Sequence, residues 1–426
     1  MPKQEKQALL PKLRFPEFWE AGEWEEKPLG QLAKRCTQKN RDGEVKRVLT
    51  NSAEYGVVDQ RDYFDKDIAT QGNLEGYFIV EKGDYVYNPR ISATAPVGPI
   101  SKNNIATGVM SPLYTVLRFN NSNNDFYALY FKTTGWHHYM RQASSTGARH
   151  DRMAITNGDF MAMPLPVTLP GEQQKIADCL ASLDELITLE AQKLDTLKTH
   201  KKGLMQQFFP AEGETLPKLR FPEFWDAGEW CYRSLKKVFS IFQGYAFSSK
   251  DSTKEGARWL KIADVGIQYM NASTPSYLPV KHKEEYKKFS VELDDYVIAL
   301  TRPILSGELK MAKVDSVYDG ALLNQRVGKL VTGENKDFVY CLLQTPRLIK
   351  DIEKNIAGND PPNLSSQQIG DIAVRIPKGN EQKKIADFLA SIDILITAQA
   401  KKVEGLNSHK KGLMQQLFPV IDEVDA

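Results

Sequence analysis

The sequence predicts an α+β chain with two globular inserts separated by two long helices, which pair as an antiparallel coiled coil within a pseudo-two-fold internal repeat. Three observations carry that expectation. PKLRFPEFWEAGEW at 11–24 returns as PKLRFPEFWDAGEW at 217–230, changed only where Glu20 becomes Asp226. EQQKIADCLASLDELITLEAQKLDTLKTHKKGLMQQFFP at 172–210 returns as EQKKIADFLASIDILITAQAKKVEGLNSHKKGLMQQLFP at 381–419. Between these blocks, 25–165 and 231–375 show almost no likeness to each other, so a duplicated frame presents two divergent surfaces.

The boundaries that follow are a tail and first opener at 1–24, an insert at 25–170, a helix at 171–210, a linker and second opener at 211–230, an insert at 231–378, a helix at 379–419 and an acidic tail at 420–426. At 426 residues, 41% hydrophobic and 26% charged, the chain has the composition of a folded protein of several domains. The polar, proline-broken N-terminus does not read as a signal peptide, and no apolar run reaches membrane-spanning length. Cys36, Cys179, Cys231 and Cys341 lack CxxC spacing, which points to a reducing cytoplasm and away from structural zinc or a disulfide framework. A net charge of +2 means that binding a polyanion needs local basic surfaces.

The first helix carries Ile176, Leu180, Leu183, Ile187, Leu194, Leu197, Leu204 and Phe208 on steps of four and three, with Glu190 and Lys201 at seam positions. Ile385, Leu389, Ile392, Ile396, Val403, Leu406, Leu413 and Leu417 repeat that seam, with breaks at Gln399 and Lys410. So narrow a seam needs a partner helix, and the lone polar residues read as pairing specifiers. Pro210 closes the first helix only a few residues before the second opener, so the second helix is expected to run back along the first. An insert then sits at each end of a stiff strut.

In the first insert, 76–89 and 111–119 read as strands and 126–142 as helix; in the second, 292–303 and 320–331 read as strands and 338–354 as helix. Gly83-Asp84-Tyr85-Val86 lines up with Asp294-Asp295-Tyr296-Val297. The shared order predicts one fold for both inserts.

Two segments look catalytic without carrying the chemistry. Asn359-Asp360-Pro361-Pro362-Asn363 echoes the DPPY loop of amino-methyltransferases but has Asn363 where an aromatic would stack, and no glycine-rich cofactor loop accompanies it. Asp295 followed by Glu308-Leu309-Lys310 has the loose spacing of a metal-dependent nuclease, a degenerate pattern that the first insert lacks. His200 and His409 match across the repeats on the polar side of a helix and read as solvated. No metal site is expected.

The clusters with nucleic-acid chemistry are Asn88, Arg90, Ser92, Thr94, Arg149, His150 and Arg152 in the first insert. In the second they are Tyr245, Lys261, Thr301, Arg302, Asn324, Gln325, Arg326 and Asn359. Arg, Asn and Gln read purine edges bidentately, while Ser, Thr and Lys hold phosphates.

The doubled LRFPEFW opener, the EQ(Q/K)KIAD(C/F)LAS(L/I)D start of each helix and its HKKGLMQQ(F/L)FP close resemble the specificity (S) subunit of type I restriction-modification enzymes over the whole chain. The resemblance implies that each insert is a target recognition domain reading one half of a split, asymmetric site in double-stranded DNA, with the helices fixing the gap. It implies two modification (methyltransferase) subunits as partners, with restriction (motor-nuclease) subunits added for cleavage. It further implies that this chain is non-catalytic and binds no cofactor, and that S-adenosylmethionine, ATP and Mg2+ serve the partners. A stand-alone adaptor or decoy for modification subunits and a metal-dependent nuclease are the alternative readings.

Overall fold

The computed structural model describes residues 9–63, 74–146, 151–356 and 361–419. The chain forms two compact units, Met1–Glu190 with Lys402–Ala426, and Ala191–Lys401. These are not the two sequence repeats, because both boundaries fall inside the long helices. Each repeat's helix starts in its own unit and ends in the other.

In the first unit, β1 (Glu25–Pro28) pairs with the strand just before the long helix, and the intervening chain builds a sheet from Ala33–Cys36, Tyr85–Tyr87, Ile100–Lys102 and Thr115–Phe119. With these numbered β2, β3, β4 and β5, the antiparallel sheet order is β2-β5-β3-β4. Pro164–Val167 is β6, the partner of β1, and it leads directly into α1 (Pro170–Phe208).

The second unit repeats this plan. Cys231–Ser234 (β7) pairs with Ala373–Ile376 (β12), which leads into α2 (Gly379–Leu417). Between them lie β8 (Phe239–Gln243), β9 (Tyr296–Ala299), β10 (Met311–Lys313) and β11 (Val327–Thr332), in the order β8-β11-β9-β10. The same order and directions in two dissimilar inserts mean that the fold is set by where strands start and stop, with different side chains filling each core.

The turn into the central strand shows how that is done. Gly83 and Asp294 have positive φ, 95° and 67°, and the next residue caps the turn: Asp84 accepts the Glu81 N–H at 2.8 Å and Asp295 the Glu292 N–H at 2.9 Å. A cation on the neighbouring strand neutralises each carboxylate, Arg118 for Asp84 at 2.7 Å and Lys329 for Asp295 at 3.2 Å. Tyr85 and Tyr296 then enter the core, donating hydroxyls to the Asn124 carbonyl at 2.7 Å and to Asp337 at 2.6 Å. Burial raises both phenol pKa values, with Asp337 adding to the rise at Tyr296.

Several expected elements are broken. The run 76–89 is two strands, Phe78–Val80 and β3, divided by the capped turn, and 320–331 is Leu322–Leu323 and β11. The helix expected over 126–142 is two, Asp125–Tyr130 and His137–Ala143, because Thr133 donates its hydroxyl to Tyr130 O at 2.7 Å and closes the first. The helix expected over 338–354 splits into Lys336–Leu343 and Pro346–Ile356, since Pro346 lacks the N–H that would continue it.

Each opener is clamped to the start of a long helix. Arg14 grips Glu172 through two bonds of 2.7 and 2.8 Å and donates to Gly22 O at 2.6 Å. Arg220 does the same with Glu381, at 2.8 and 2.8 Å, and with Gly228 O at 2.8 Å. Lys175–Glu17 at 3.0 Å and Lys384–Glu223 at 3.1 Å repeat as well. Both clamping glutamates lie in the first helical turn, where the helix dipole favours negative charge.

Within each unit the helix ends pair antiparallel. In the first, Lys410 meets Asp184 and Lys402 meets Glu190 at 2.5 Å; in the second, Lys201 meets Asp393 at 2.7 Å. Leu417 and Phe418 complete the first core beside Ile176 and Leu180, while Phe208 and Phe209 complete the second beside Ile385 and Leu389. Leu183, Ile187, Leu194, Leu197, Leu204, Ile396, Val403, Leu406 and Leu413 are half-buried, Ile392 is buried, and His200 and His409 are exposed.

The Arg220 and Glu381 side chains are 8% and 3% exposed. Arg220→Ala strands a buried carboxylate and should lower unfolding free energy by about 3–5 kcal/mol, whereas Arg220→Met with Glu381→Leu should restore most of it. Denaturant titration of the full chain measures both.

Candidate nucleic-acid interface

The loops at one end of each sheet gather most of the candidate residues. In the first unit β3 runs out into Asn88-Pro89-Arg90. Asn88 accepts the Arg90 N–H at 3.0 Å through its side-chain oxygen and donates its amide to Asn51 O at 2.9 Å. Both of its side-chain polar atoms thus take part in shaping the turn that positions Arg90. Gly98 lies against this turn, where a Cβ would collide with the Asn88 carbonyl oxygen.

Arg90 and Arg152 face each other across an antiparallel bridge, held by Ile91 N to Asp151 O at 3.0 Å and Met153 N to Pro89 O at 2.9 Å. Residues paired in this way carry their side chains on the same side, where like charges repel unless an acceptor lies nearby. Among the described residues Arg152 has one long carboxylate contact, 3.8 Å to Asp151, and no carboxylate pairs with Arg90. Both arginines line a cavity of about 240 Å³ together with Thr50, Gln60, Tyr77 and Tyr114. Those four lie on separate segments of ordinary strand and turn composition, and no pattern in the sequence joins them. Ser92 and Thr94 bond to each other at 3.2 Å in the adjacent turn. Arg149 and His150 lie outside the described residues, as does Asn359.

The second unit builds its counterpart around Asn324-Gln325-Arg326. Asn324 accepts the Arg326 N–H at 3.0 Å, the same device as Asn88 with Arg90. Tyr245 brackets the turn on one side, through Tyr245 N to Leu323 O and Gln325 N to Tyr245 O, both 2.9 Å. On the other side Asn324 N donates to Leu260 O at 3.0 Å, which brings Lys261 alongside with its ammonium 3.9 Å from the Trp259 ring centroid. Gly244 permits the approach, since a Cβ there would strike the Leu323 and Asn324 carbonyls.

Leu300 N donates to Arg326 O at 2.9 Å, so Thr301 and Arg302 leave β9 next to this turn. Arg302 has φ 48°, a strained setting for a residue with a Cβ, and its N–H is tied to Pro362 O at 2.8 Å. Thr301 donates its hydroxyl to Asn363 at 2.8 Å. In the described part of the DPPY lookalike, Pro362 therefore braces Arg302 and Asn363 is taken up by Thr301. In the nuclease lookalike, Asp295 is engaged by Lys329 and the Glu292 amide, and Lys310, its pKa lowered by burial, donates to Ile262 O at 3.2 Å. Among the described residues no group of three or more His, Cys, Asp or Glu side chains could hold a metal ion.

Comparison with known proteins gives one consistent answer. The family described as type I restriction modification DNA specificity domain matches residues 21–199 and 227–407. The type I restriction enzyme MjaVIII specificity subunit of Methanocaldococcus jannaschii is 30% identical over 320 residues, 73% of either chain. The EcoAI specificity subunit of Escherichia coli is 27% identical over 215 residues, covering 50% of this chain and 35% of that one. In fold, the chain is similar to the type I restriction-modification S subunit from M. genitalium, with a TM-score of 0.54, 17% identity, and 96% and 99% of the two chains covered.

If the arginines read guanine edges, Arg90→Ala and Arg302→Ala each weaken binding of a specific duplex by about 1–3 kcal/mol and relax the sequence requirement at one position. A phosphate contact would weaken all sequences alike. Titrations of specific and scrambled duplexes separate the two, and unchanged affinity and specificity would remove these strand ends from the interface.

Proposed function

The chain belongs to the type I restriction-modification DNA specificity family, whose specificity subunits are non-catalytic DNA-recognition chains, and from that premise we propose that each insert reads one half of a bipartite asymmetric site. One observation carries the proposal: two inserts of the same sheet order, closed by the same frame, each carry an Asn-X-Arg turn, after β3 in the first and before β11 in the second, surrounded by otherwise different side chains. A shared scaffold with unshared loops is what reading two different sequences requires.

The frame has a second role in this reading, the docking of two modification subunits. Trp19 and Trp225 occupy equivalent positions and are each 67% exposed, and Leu186 and Leu395, also equivalent, are exposed on the helices. Apolar groups left bare at matched places in both repeats favour two copies of one partner. S-adenosylmethionine, ATP and Mg2+ belong to the partner subunits in this proposal, restriction subunits join for cleavage, and the complex works in the cytoplasm. Among the described residues no helix is long and apolar enough to cross a membrane.

Replacing 25–165 by another insert of the family should change one half of the methylated motif and leave the other half intact. Methylome sequencing of cells expressing the chain with its modification subunit reads the result; an unchanged motif, or change in both halves, would sink the two-reader proposal. The helices are further proposed to set the spacing. Four residues added within 188–199 and within the facing 394–405 add roughly 6 Å of helix. At about 3.4 Å per base pair, the preferred gap should grow by about one or two base pairs. An active variant that keeps the original gap would show that the helices join the readers without measuring the DNA.

A further inference from the structure

The second insert carries a turn whose aromatic residues pack on the core and whose lysines face away from it. The segment His282–Glu285 forms a short helix and Lys287–Phe289 a 3-10 turn. Lys281, Lys283, Lys287 and Lys288 are exposed, and among the described residues no ion pair engages any of them. Of the two acids in the segment, Glu285 turns to His282 at 3.9 Å and to Tyr286, and the exposed Glu284 offsets one of the four lysine charges. The unpaired positive charge is therefore concentrated on the side chains that face solvent.

What distinguishes this turn from an ordinary solvated one is how firmly it is fixed to the Asn324–Arg326 turn. The Tyr245 ring lies 4.7 Å from that of Tyr286 and 5.2 Å from that of Phe289, while Tyr245's backbone bonds Leu323 and Gln325. Ser290, next along the chain, bridges Leu322. One tyrosine thus joins an aromatic cluster that anchors the lysines to the loop that presents Arg326. Such mutual fixing keeps the two surfaces in one register, as a rigid ligand that meets both requires.

We propose that Lys281, Lys283, Lys287 and Lys288 form a phosphate grip on duplex DNA beside the bases reached by Arg326, and that Tyr245 is the positioning residue that holds grip and reader in one register. The proposal rests on the reading of this insert as a DNA-recognition domain. It assigns Tyr245 a different task from the direct DNA contact expected of it, and it brings in four lysines outside the clusters singled out in the sequence.

The test uses the full chain with its modification subunits, titrated at several salt concentrations with a duplex carrying the methylated motif and with a scrambled duplex. Replacing all four lysines by glutamine should weaken binding to both duplexes by the same factor, at least about tenfold at low salt. The slope of log affinity against log salt should flatten by about 0.9 for each phosphate no longer neutralised, up to about 4 in all, with the motif unchanged. The corresponding four arginine replacements should retain the slope, which separates removal of charge from disruption of the fold. Tyr245→Ala should weaken the specific duplex more than the scrambled one, with Tyr245→Phe restoring it. A glutamine variant with wild-type slope and affinity overturns the grip while leaving recognition standing. A wild-type complex that does not distinguish the two duplexes overturns the recognition reading itself.

Discussion

The rest of the structure depends on a buried arginine–glutamate clamp made twice. Arg14 reaches 158 residues along the chain to Glu172, and Arg220 reaches 161 to Glu381. A chain of that length has to be closed before its ends can be used, and closure brings an entropy cost that grows slowly with loop length. The bidentate geometry fixes the opener against the first helical turn, and the pairing of β1 with β6, or β7 with β12, closes the insert between them. A buried ion pair of this kind is a poor source of net stability compared with apolar groups. Its value here is geometric: the insert begins and ends at the same place whatever lies between.

Each unit then borrows the end of the helix that starts in the other. Phe208 stacks near Phe221 and Phe388 in the second unit, and Phe418 sits among Phe126 and Tyr130 in the first. The exchange follows from the narrow seam, which leaves too little apolar area for a lone helix. The polar residues inside the seam find specific partners. Lys201, only 6% exposed, bonds Asp393 and also Gln268 at 3.2 Å, so a pairing lysine of the helix touches the insert that it carries.

Much of this architecture is legible in the sequence because repetition is literal there: the openers, the helices and the seam could be read from matching letters and from steps of four and three. The common fold of the inserts is legible through the shared order of strands and helix and the alignment of Asp84-Tyr85-Val86 with Asp295-Tyr296-Val297, and the structure puts these at the start of the same central strand. Helix lengths within the inserts are misread where a local bond, such as Thr133 to Tyr130, competes with a periodic pattern. The interface is harder still. Residue type marks Asn88 and Asn324 as readers, yet the side-chain oxygen of each is engaged in shaping the turn that holds the arginine two residues on. Thr50, Gln60, Tyr77 and Tyr114 carry no local signal, because their meeting in one cavity is made by strand pairing over long separations.

The central claim is that frame and readers are separable, so that an insert's specificity travels with its own residues. Exchanging 25–165 and 231–375 within the one chain tests it most directly, with the methylated motif read by methylome sequencing. The account predicts that both original half-sequences persist, each now read from the other frame. A complex that assembles and methylates DNA but loses either half-sequence would contradict it, by showing that the frame takes part in the reading.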